Sequence, residues 1–207
     1  MKLALLSDIH ANMRAFDACL AHAASQGATH YALLGDLVGY GAEPAEVVAR
    51  AMALAREQAV VLQGNHDALA VSPPATTATM EDATAAWTHA QLDASQRAFL
   101  SQLPLRHASG DVLLVHASAD DPAAWHYVDN AHRAQASLAS AGEGVRHVFV
   151  GHVHHQRVSR CPCPRTASGR RRSARSASRA MARRLRCTPS GTARHRRSRF
   201  TACPMTT

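Results

Sequence analysis

Five short apolar runs in this chain end the same way, and that repetition limits the fold more than any compositional total. Leu3 to Leu6 leads to Asp8 and His10, and Tyr31 to Leu34 leads to Asp36. Val60 to Leu62 leads to Asn65 and His66, Val112 to Val115 to His116, and Val148 to Val150 to His152 and His154. Short apolar runs bounded by turn residues read as buried strands. Between the first three lie two stretches with helical spacing. Asn12 can cap one whose apolar face is Met13, Phe16 and Leu20, with Gly27 to stop it. Pro44 suits the first turn of the other, faced by Val47, Val48, Ala51, Leu54 and Ala55. Strand, helix, strand, helix, strand argues for a parallel sheet with helices on its faces. Ligands of such sheets gather at the carboxyl ends of the strands, where these polar residues fall.

The later chain follows suit. Residues 72–80 read as a loop, and Glu81 to Ala90 and Asp93 to Leu103 as helices, with Pro104 ending the second. Leu105 to Ala108 and Val112 to Val115 flank Ser109-Gly110-Asp111 as a hairpin would. Residues 119–128 read as a polar loop and 130–140 as a helix. Trp87, Trp125 and Tyr127 are expected to pack in the core rather than line a substrate wall, because aromatic side chains mainly bury area. Cys19 reads as a small buried residue.

A length of 207 residues is enough for one domain with a real core. No apolar run approaches the roughly 20 residues of a membrane helix. The apolar start reaches Asp8 too soon for a signal peptide, whose apolar region runs about 7–15 residues. A cytoplasmic protein without a membrane partner is therefore expected. The formal charge of +8 hides two kinds of sequence. All 15 acidic residues lie before residue 160, whereas residues 160–207 hold 14 arginines and no acid. No Val or Ile occurs after Val158. A segment so poor in apolar residues cannot offset its ordering entropy, so residues 159–207 are expected to lack a packed fold.

The chemistry lies in the strand-end set: Asp8, His10, Asp36, Asn65, His66, His116, His152 and His154. A lone histidine of this kind is usually structural, but eight such residues after five strands are not explained that way. Buried together without a cation, the carboxylates would repel and the imidazoles would lack partners. Mixed carboxylate and imidazole donors suit Mn, Fe, Zn or Co. They are too many for one ion and enough for two. The Asp8-x-His10 and His152-x-His154 spacings fit that division, since residues i and i+2 of an extended segment point the same way.

Taken in order, Asp8-x-His10, Gly35-Asp36, Gly64-Asn65-His66-Asp67, His116 and Gly151-His152-x-His154 resemble the blocks of the calcineurin-like metallophosphoesterases, over residues 1–158. Ser7-Asp8-Ile9-His10-Ala11-Asn12 looks most like their small bacterial branch. The resemblance implies an α/β fold: a two-sheet β-sandwich flanked by helices in four layers, its second sheet incomplete. It implies two divalent ions, Mn²⁺ first, with Fe, Zn, Co or Ni as other occupants. Asp8, His10, Asp36 and His154 would hold one ion. Asp36, Asn65, His116 and His152 would hold the other. A hydroxide bridging the ions would attack the phosphorus of a phosphomonoester or phosphodiester. His66 would serve as the acid, and Asp67 would either orient His66 or end the turn. The eukaryotic-type Ser/Thr phosphatases read Gly-Asp-x-Val-Asp-Arg-Gly; Gly35-Asp36-Leu37-Val38-Gly39-Tyr40-Gly41 lacks the second aspartate and the arginine. That weakens a dedicated protein-phosphatase reading and leaves small phosphomonoesters, phosphodiesters and nucleotides open. The rival reading is a scaffold member of the same fold, inactive through truncation.

The arginine-rich tail has two readings. A basic arm would bind nucleic acid, yet it would normally mix lysine with arginine, and Lys2 is the chain's only lysine. A shifted reading frame in GC-rich coding sequence gives the composition seen. Family members carry a Gly-Ser-Val-Gly-Gln-Pro-Arg-like stretch after the last histidine pair. Read from the third base of Arg172, one set of allowed codons through Met181 spells Val-Gly-Ser-Val-Gly-Gln-Pro-Arg-Asp.

Overall fold

The computed structural model describes residues 2–161, 174–178 and 199–202. Two sheets face each other, each with helices on its outer side. The first is parallel, in the order β3-β2-β1-β9: β1 (Lys2–Leu6), β2 (His30–Leu33), β3 (Val60–Val61) and β9 (Arg199–Ala202). The second runs β4-β5-β6-β8-β7: β4 (Arg106–Ser109), β5 (Val112–Val115), β6 (His147–Val150), β7 (Arg157–Cys161) and β8 (Ala174–Ser178). The β4–β5 hairpin turns through Gly110 at φ +60°. In β5, β6 and β8 the strands run parallel.

The alternation of side chains along β1 shows why four layers form. Leu5 points to the space between the sheets, where it meets Ala32, Leu34, Leu62, Leu114 and Phe149. Ala4 and Leu6 point the other way, into the core under the helices, with Phe16, Leu33, Val47, Val48 and Leu100. Leu113, Val115, Val148 and Val150 turn outward from the second sheet onto Ala134 and its neighbours. Both faces of each central strand are therefore buried, which is why these strands read as continuous apolar runs. Each fully buried Leu, Val or Phe contributes roughly 1.5–3 kcal/mol.

On the first sheet's outer side, α1 (Met13–Ser25) is capped by the Asn12 side chain, which accepts from the Ala15 N–H at 3.0 Å. It buries Phe16, Cys19, Leu20 and Ala23. Helix α2 (Pro44–Arg56) buries Val47, Val48, Ala51 and Leu54. Helix α3 (Asn65–Val71) was not foreseen from the sequence, which suggested only a turn there. It starts because Asp67 reaches back to accept the Gly64 N–H at 2.9 Å. Helices α4 (Met80–Gln91) and α5 (Ala94–Ser101) start at Thr79 and Asp93, and α6 (Ala131–Ala139) covers the second sheet.

Of residues 159–207, the strands β8 and β9 and the end of β7 are described. The rest of the tail, including half of residues 172–181 on which the reading-frame argument turns, lies outside the described residues. Among the described residues no helix is long and apolar enough to cross a membrane.

Candidate metal centre

The loops after β1, β2, β3, β5 and β6 converge at one end of the two sheets. Backbone bonds join the first two loops: Ile9 N–H donates to Asp36 O at 2.8 Å, and Ala11 N–H to Leu37 O at 2.8 Å. In the second sheet, Gly151 N–H donates to His116 O at 2.8 Å. The sheets meet where the His152 N–H donates to Asp8 Oδ1 at 2.9 Å, across 144 positions of sequence.

This convergence uses unusual backbone. Asp8, His10, Asp36, His152 and His154 all take φ between +51° and +65°. So do Ala11, Tyr40 and Trp125 beside them; Gln58 is the one such non-glycine residue away from the site among those described. Left-handed backbone is disfavoured for side chains with a Cβ, and it concentrates at functional sites. Gly64 is required for a different reason: a Cβ there would collide with the backbone nitrogen and carboxylate of Asp36.

The structure brings the seven sequence-predicted ligands together. In one group, oxygens of Asp8 and Asp36 and nitrogens of His10 and His154 all lie within 4.8 Å of one another. In a second, Asp36, His116 and His152 do the same. Asn65 joins the second group, its Oδ1 3.2 Å from His116 Nε2. Asp36 belongs to both: Oδ2 lies 3.2 Å from His116 Nε2 and 3.9 Å from His10 Nε2.

The donor set fits divalent cations. The His10 and His116 rings each place Nδ1 against a backbone carbonyl, Val38 O at 3.2 Å and Leu34 O at 2.8 Å. Donation there leaves Nε2 turned inward, the arrangement by which proteins orient metal-ligating imidazoles. His152 bonds to the Trp125 backbone, and its Nε2 is buried without a partner. Asp8 Oδ2 is likewise orphaned. His10 Nε2 and His154 Nε2 meet head-on at 3.0 Å. Buried acceptors left without donors, such as Asp8 Oδ2 and His152 Nε2, are costly unless something positive sits among them.

Electrostatics agree. Burial alone would lower the His116 pKa, but the adjoining Asp36 carboxylate outweighs it and raises the group to about 9. Burial works against ionisation of Asp36, yet the His116 charge holds its carboxyl well below the usual range. Burial lowers His10 and His152, the latter also through repulsion from His116.

His66 sits at the rim of the centre. Its N–H donates to Asp36 Oδ1 at 3.0 Å, its ring lies 5.2 Å from that of His10, and Nε2 faces Glu81 Oε1 at 3.7 Å. Asp67 does not touch the His66 ring. It is fully buried, and its oxygens accept the N–H groups of Leu37 (2.9 Å), Val38 (3.1 Å) and Gly64 (2.9 Å). Of the two roles open to it in the sequence, the geometry assigns it neither the orientation of His66 nor a plain turn: it clamps the β2 loop to the start of α3.

The aromatic expectation needs correcting. Tyr127 is 57% exposed and stacks on His152, with ring centroids 4.1 Å apart at 22°. Trp125 is half-buried with its ring 6.0 Å from that of His116, and Trp87 is exposed. None of the three side chains belongs to a core cluster. Sequence reasoning also passed over Tyr40, 60% exposed with its ring 4.8 Å from His10 and 4.5 Å from His66. Glycines on either side of Tyr40, in a loop leaving a ligand, were the available signal.

Comparison with known proteins agrees with this geometry. The family model of the calcineurin-like phosphoesterase superfamily domain matches residues 1–176. The uncharacterized protein MJ0912 of Methanocaldococcus jannaschii is 31% identical over 132 residues, 61% of this chain and 53% of that protein. The chain thus spans about half the length of that curated relative. The crystal structure of a metallophosphoesterase from Sphaerobacter thermophilus is similar with a TM-score of 0.69 and 28% identity, over 85% of this chain and 74% of that one.

Proposed function

The chain belongs to the calcineurin-like phosphoesterase superfamily, and from that premise we propose that it hydrolyses small phosphomonoesters or phosphodiesters with two divalent ions held around Asp36. The observation that carries the reading is the sharing of Asp36 between two groups of inward-facing donors. Asp8, His10, Asp36 and His154 would hold one ion; Asp36, Asn65, His116 and His152 would hold the other. Mn²⁺ fits this mixed oxygen and imidazole set, and Fe, Zn, Co or Ni take the same donors. When bound, such a pair supplies a water activated near neutral pH and positive charge for the phosphoryl oxygens.

The chain's own residues do the rest. His66, tethered through its N–H to Asp36, presents a ring nitrogen at the rim. From Nε2 it gives a proton to the departing alkoxide. The close approach of Gly39, where a Cβ would lie 2.8 Å from His66 Nδ1, holds the ring with Nε2 outward. Asp67 keeps the β2 loop and α3 in register, so that Asp36 and His66 move together. The His116 and His10 rings are fixed by the carbonyls behind them.

The test is hydrolysis of 4-nitrophenyl phosphate and bis(4-nitrophenyl) phosphate by the full chain with added Mn²⁺, alongside elemental analysis. Turnover of either ester that vanishes in Asp36→Asn is the expected result. Metal-loaded protein that turns over neither ester would overturn the reading.

A further inference from the structure

The loop after β2 carries Gly39-Tyr40-Gly41 past the metal centre, and close approach fixes both glycines. A Cβ on Gly39 would lie 2.8 Å from His66 Nδ1, and one on Gly41 would run into the His10 carbonyl. The Gly41 N–H donates to that same carbonyl at 3.1 Å. Between the two glycines Tyr40 takes φ +61°. A bulky side chain adopts left-handed backbone only where its surroundings enforce it.

The ring so placed is not buried. Tyr40 is 60% exposed, with its ring 4.8 Å from that of His10 and 4.5 Å from that of His66. It stands beside a metal-group donor and the proposed acid at once. Core packing does not account for an aromatic ring left in water on enforced backbone, and phenylalanine would serve contact with His66 equally well. The hydroxyl is the part left over: among the described residues nothing accepts a hydrogen bond from it. Burial raises the pKa of the phenol, and the carboxylates of Glu81 and Asp36 raise it further. The hydroxyl therefore lies within electrostatic reach of the ligand common to both metal groups, and it remains a donor at neutral pH.

The centre has use for such a donor. Fixed donors aimed at phosphoryl oxygens stabilise the charge that develops there. No Lys or Arg is among the residues lining the cavity beside the second donor group. The chain's only lysine, Lys2, opens β1, whereas the site follows that strand's last residue; its ammonium is bonded to the Gln26 carbonyl. We propose that the Tyr40 hydroxyl donates a hydrogen bond to a non-bridging phosphoryl oxygen of the ester at the centre, a neutral donor in the place of a cationic one. The inference rests on the phosphoesterase reading and adds a catalytic residue to it.

The test uses the full chain loaded with Mn²⁺. Tyr40→Phe keeps the ring against His10 and His66, and Tyr40→Ala removes it. Loss of a hydrogen bond to a charged acceptor predicts a kcat/KM about 10- to 100-fold lower in Tyr40→Phe. The loss should be the same for alkyl and 4-nitrophenyl esters, because a non-bridging oxygen is present whichever group departs. Metal content by elemental analysis should match that of the unmodified chain. A second readout needs no turnover: inorganic phosphate, titrated calorimetrically into Mn²⁺-loaded protein, should bind Tyr40→Phe about 10-fold more weakly. Unchanged kcat/KM and phosphate affinity in Tyr40→Phe would overturn the inference even if Tyr40→Ala is impaired, since the ring would then matter only as packing on His66. Metal lost from Tyr40→Phe would overturn it by placing the hydroxyl on a metal. A loss confined to alkyl esters would overturn it by placing the hydroxyl on the leaving group. Each of these leaves the phosphoesterase reading intact, because the unmodified chain still turns over. If the metal-loaded unmodified chain hydrolyses neither ester, that reading fails instead. The phosphate titration then decides Tyr40 by itself: equal affinity in the two proteins, or binding by neither, overturns the proposal.

Discussion

Nε2 of His116 lies 3.2 Å from Oδ2 of Asp36, and neither side chain is in contact with water. In the metal-free protein this pair behaves as a buried ion pair, and its pH dependence follows from the two shifts. His116 is raised from its ordinary 6.5 to about 9. The stability it contributes is therefore complete below 6.5 and lost as pH rises through about 9. Asp36 is depressed from 3.8, so its contribution is present above 3.8 and lost as pH falls through its folded value. The contribution of this pair to the stability of metal-free protein should be greatest from about pH 4 to 6.5 and fall on both sides. Asp36→Asn should flatten both limbs, measured by thermal melts at constant ionic strength. A metal-free Tm that climbs steadily from pH 6.5 to 9 would contradict the pairing.

Sharing of Asp36 between two donor groups makes metal stoichiometry diagnostic. His116→Ala removes a donor from one group, and His10→Ala removes a donor from the other. Each should hold about one equivalent where the unmodified chain holds two, and Asp36→Asn should hold the least. Bound metal stabilises by mass action, about 2.7 kcal/mol at free metal 100 times Kd. A chelator should therefore lower the Tm of the unmodified chain far more than that of Asp36→Asn. Elemental analysis after gel filtration, with melts in parallel, checks both. One equivalent in the unmodified chain would remove the shared-ligand reading.

His66 lies outside both groups of ligating atoms, so its loss should separate chemistry from metal binding. His66→Ala is expected to lower kcat by about 10²–10⁴-fold, the usual range for a general acid. Metal content should not change. The loss should be greatest for esters with poor leaving groups and shrink for 4-nitrophenyl esters, which need little protonation. Equal losses for alkyl and aryl leaving groups would argue that His66 only binds substrate.

Much of this was legible in the sequence because it rests on local patterns. The runs at Leu3, Tyr31, Val112 and Val148 are buried on both faces, so they stand out without any periodicity. The ligands follow them directly, and the caps at Asn12 and Asp93 have local signatures. What could not be read depends on contacts across the chain. Asp67 sits beside His66 in sequence, so adjacency suggested an orienting role; its real partners, Leu37 and Val38, come from another loop. Tyr127 is apolar enough for a core, but its neighbour Val128 is the side chain that enters the core of the second sheet. The ring is left to stack on His152. Helix α3 is only 7 residues long, too short to show a period.

Gly64 should tolerate no side chain. A Cβ there would run into the backbone and carboxylate of Asp36, and neither can yield without moving a donor common to both metal groups. Gly64→Ala should destabilise by several kcal/mol, in the range of overpacked core sites, and metal content should fall with it. Gly110→Ala is the control: nothing lies within 4 Å of its Cβ position. Only the strain of φ +60° applies there, a cost of about 1 kcal/mol. Equal losses of metal in the two variants would mean that the contact with Asp36 is not what matters.

Asp67 offers the sharpest distinction between clamping and catalysis. Its Oδ1 accepts from Leu37 and Val38, and its Oδ2 from Gly64. Asp67→Asn can keep the first oxygen but turns an N–H₂ towards the Gly64 N–H. One buried donor is left unsatisfied, at a cost of about 1–3 kcal/mol. Asp67→Ala strands all three donors and should cost more, unless water enters the gap. Because the clamp holds the loop carrying Asp36 against the helix carrying His66, loosening it should lower metal affinity and kcat together. Added Mn²⁺ should then recover part of the activity. An orienting partner of His66 would behave differently: Asp67→Asn would cut kcat with Tm and metal content unchanged, and no excess of Mn²⁺ would restore it. Melts, metal analysis and a Mn²⁺ titration of Asp67→Asn, run on one preparation, separate the two outcomes.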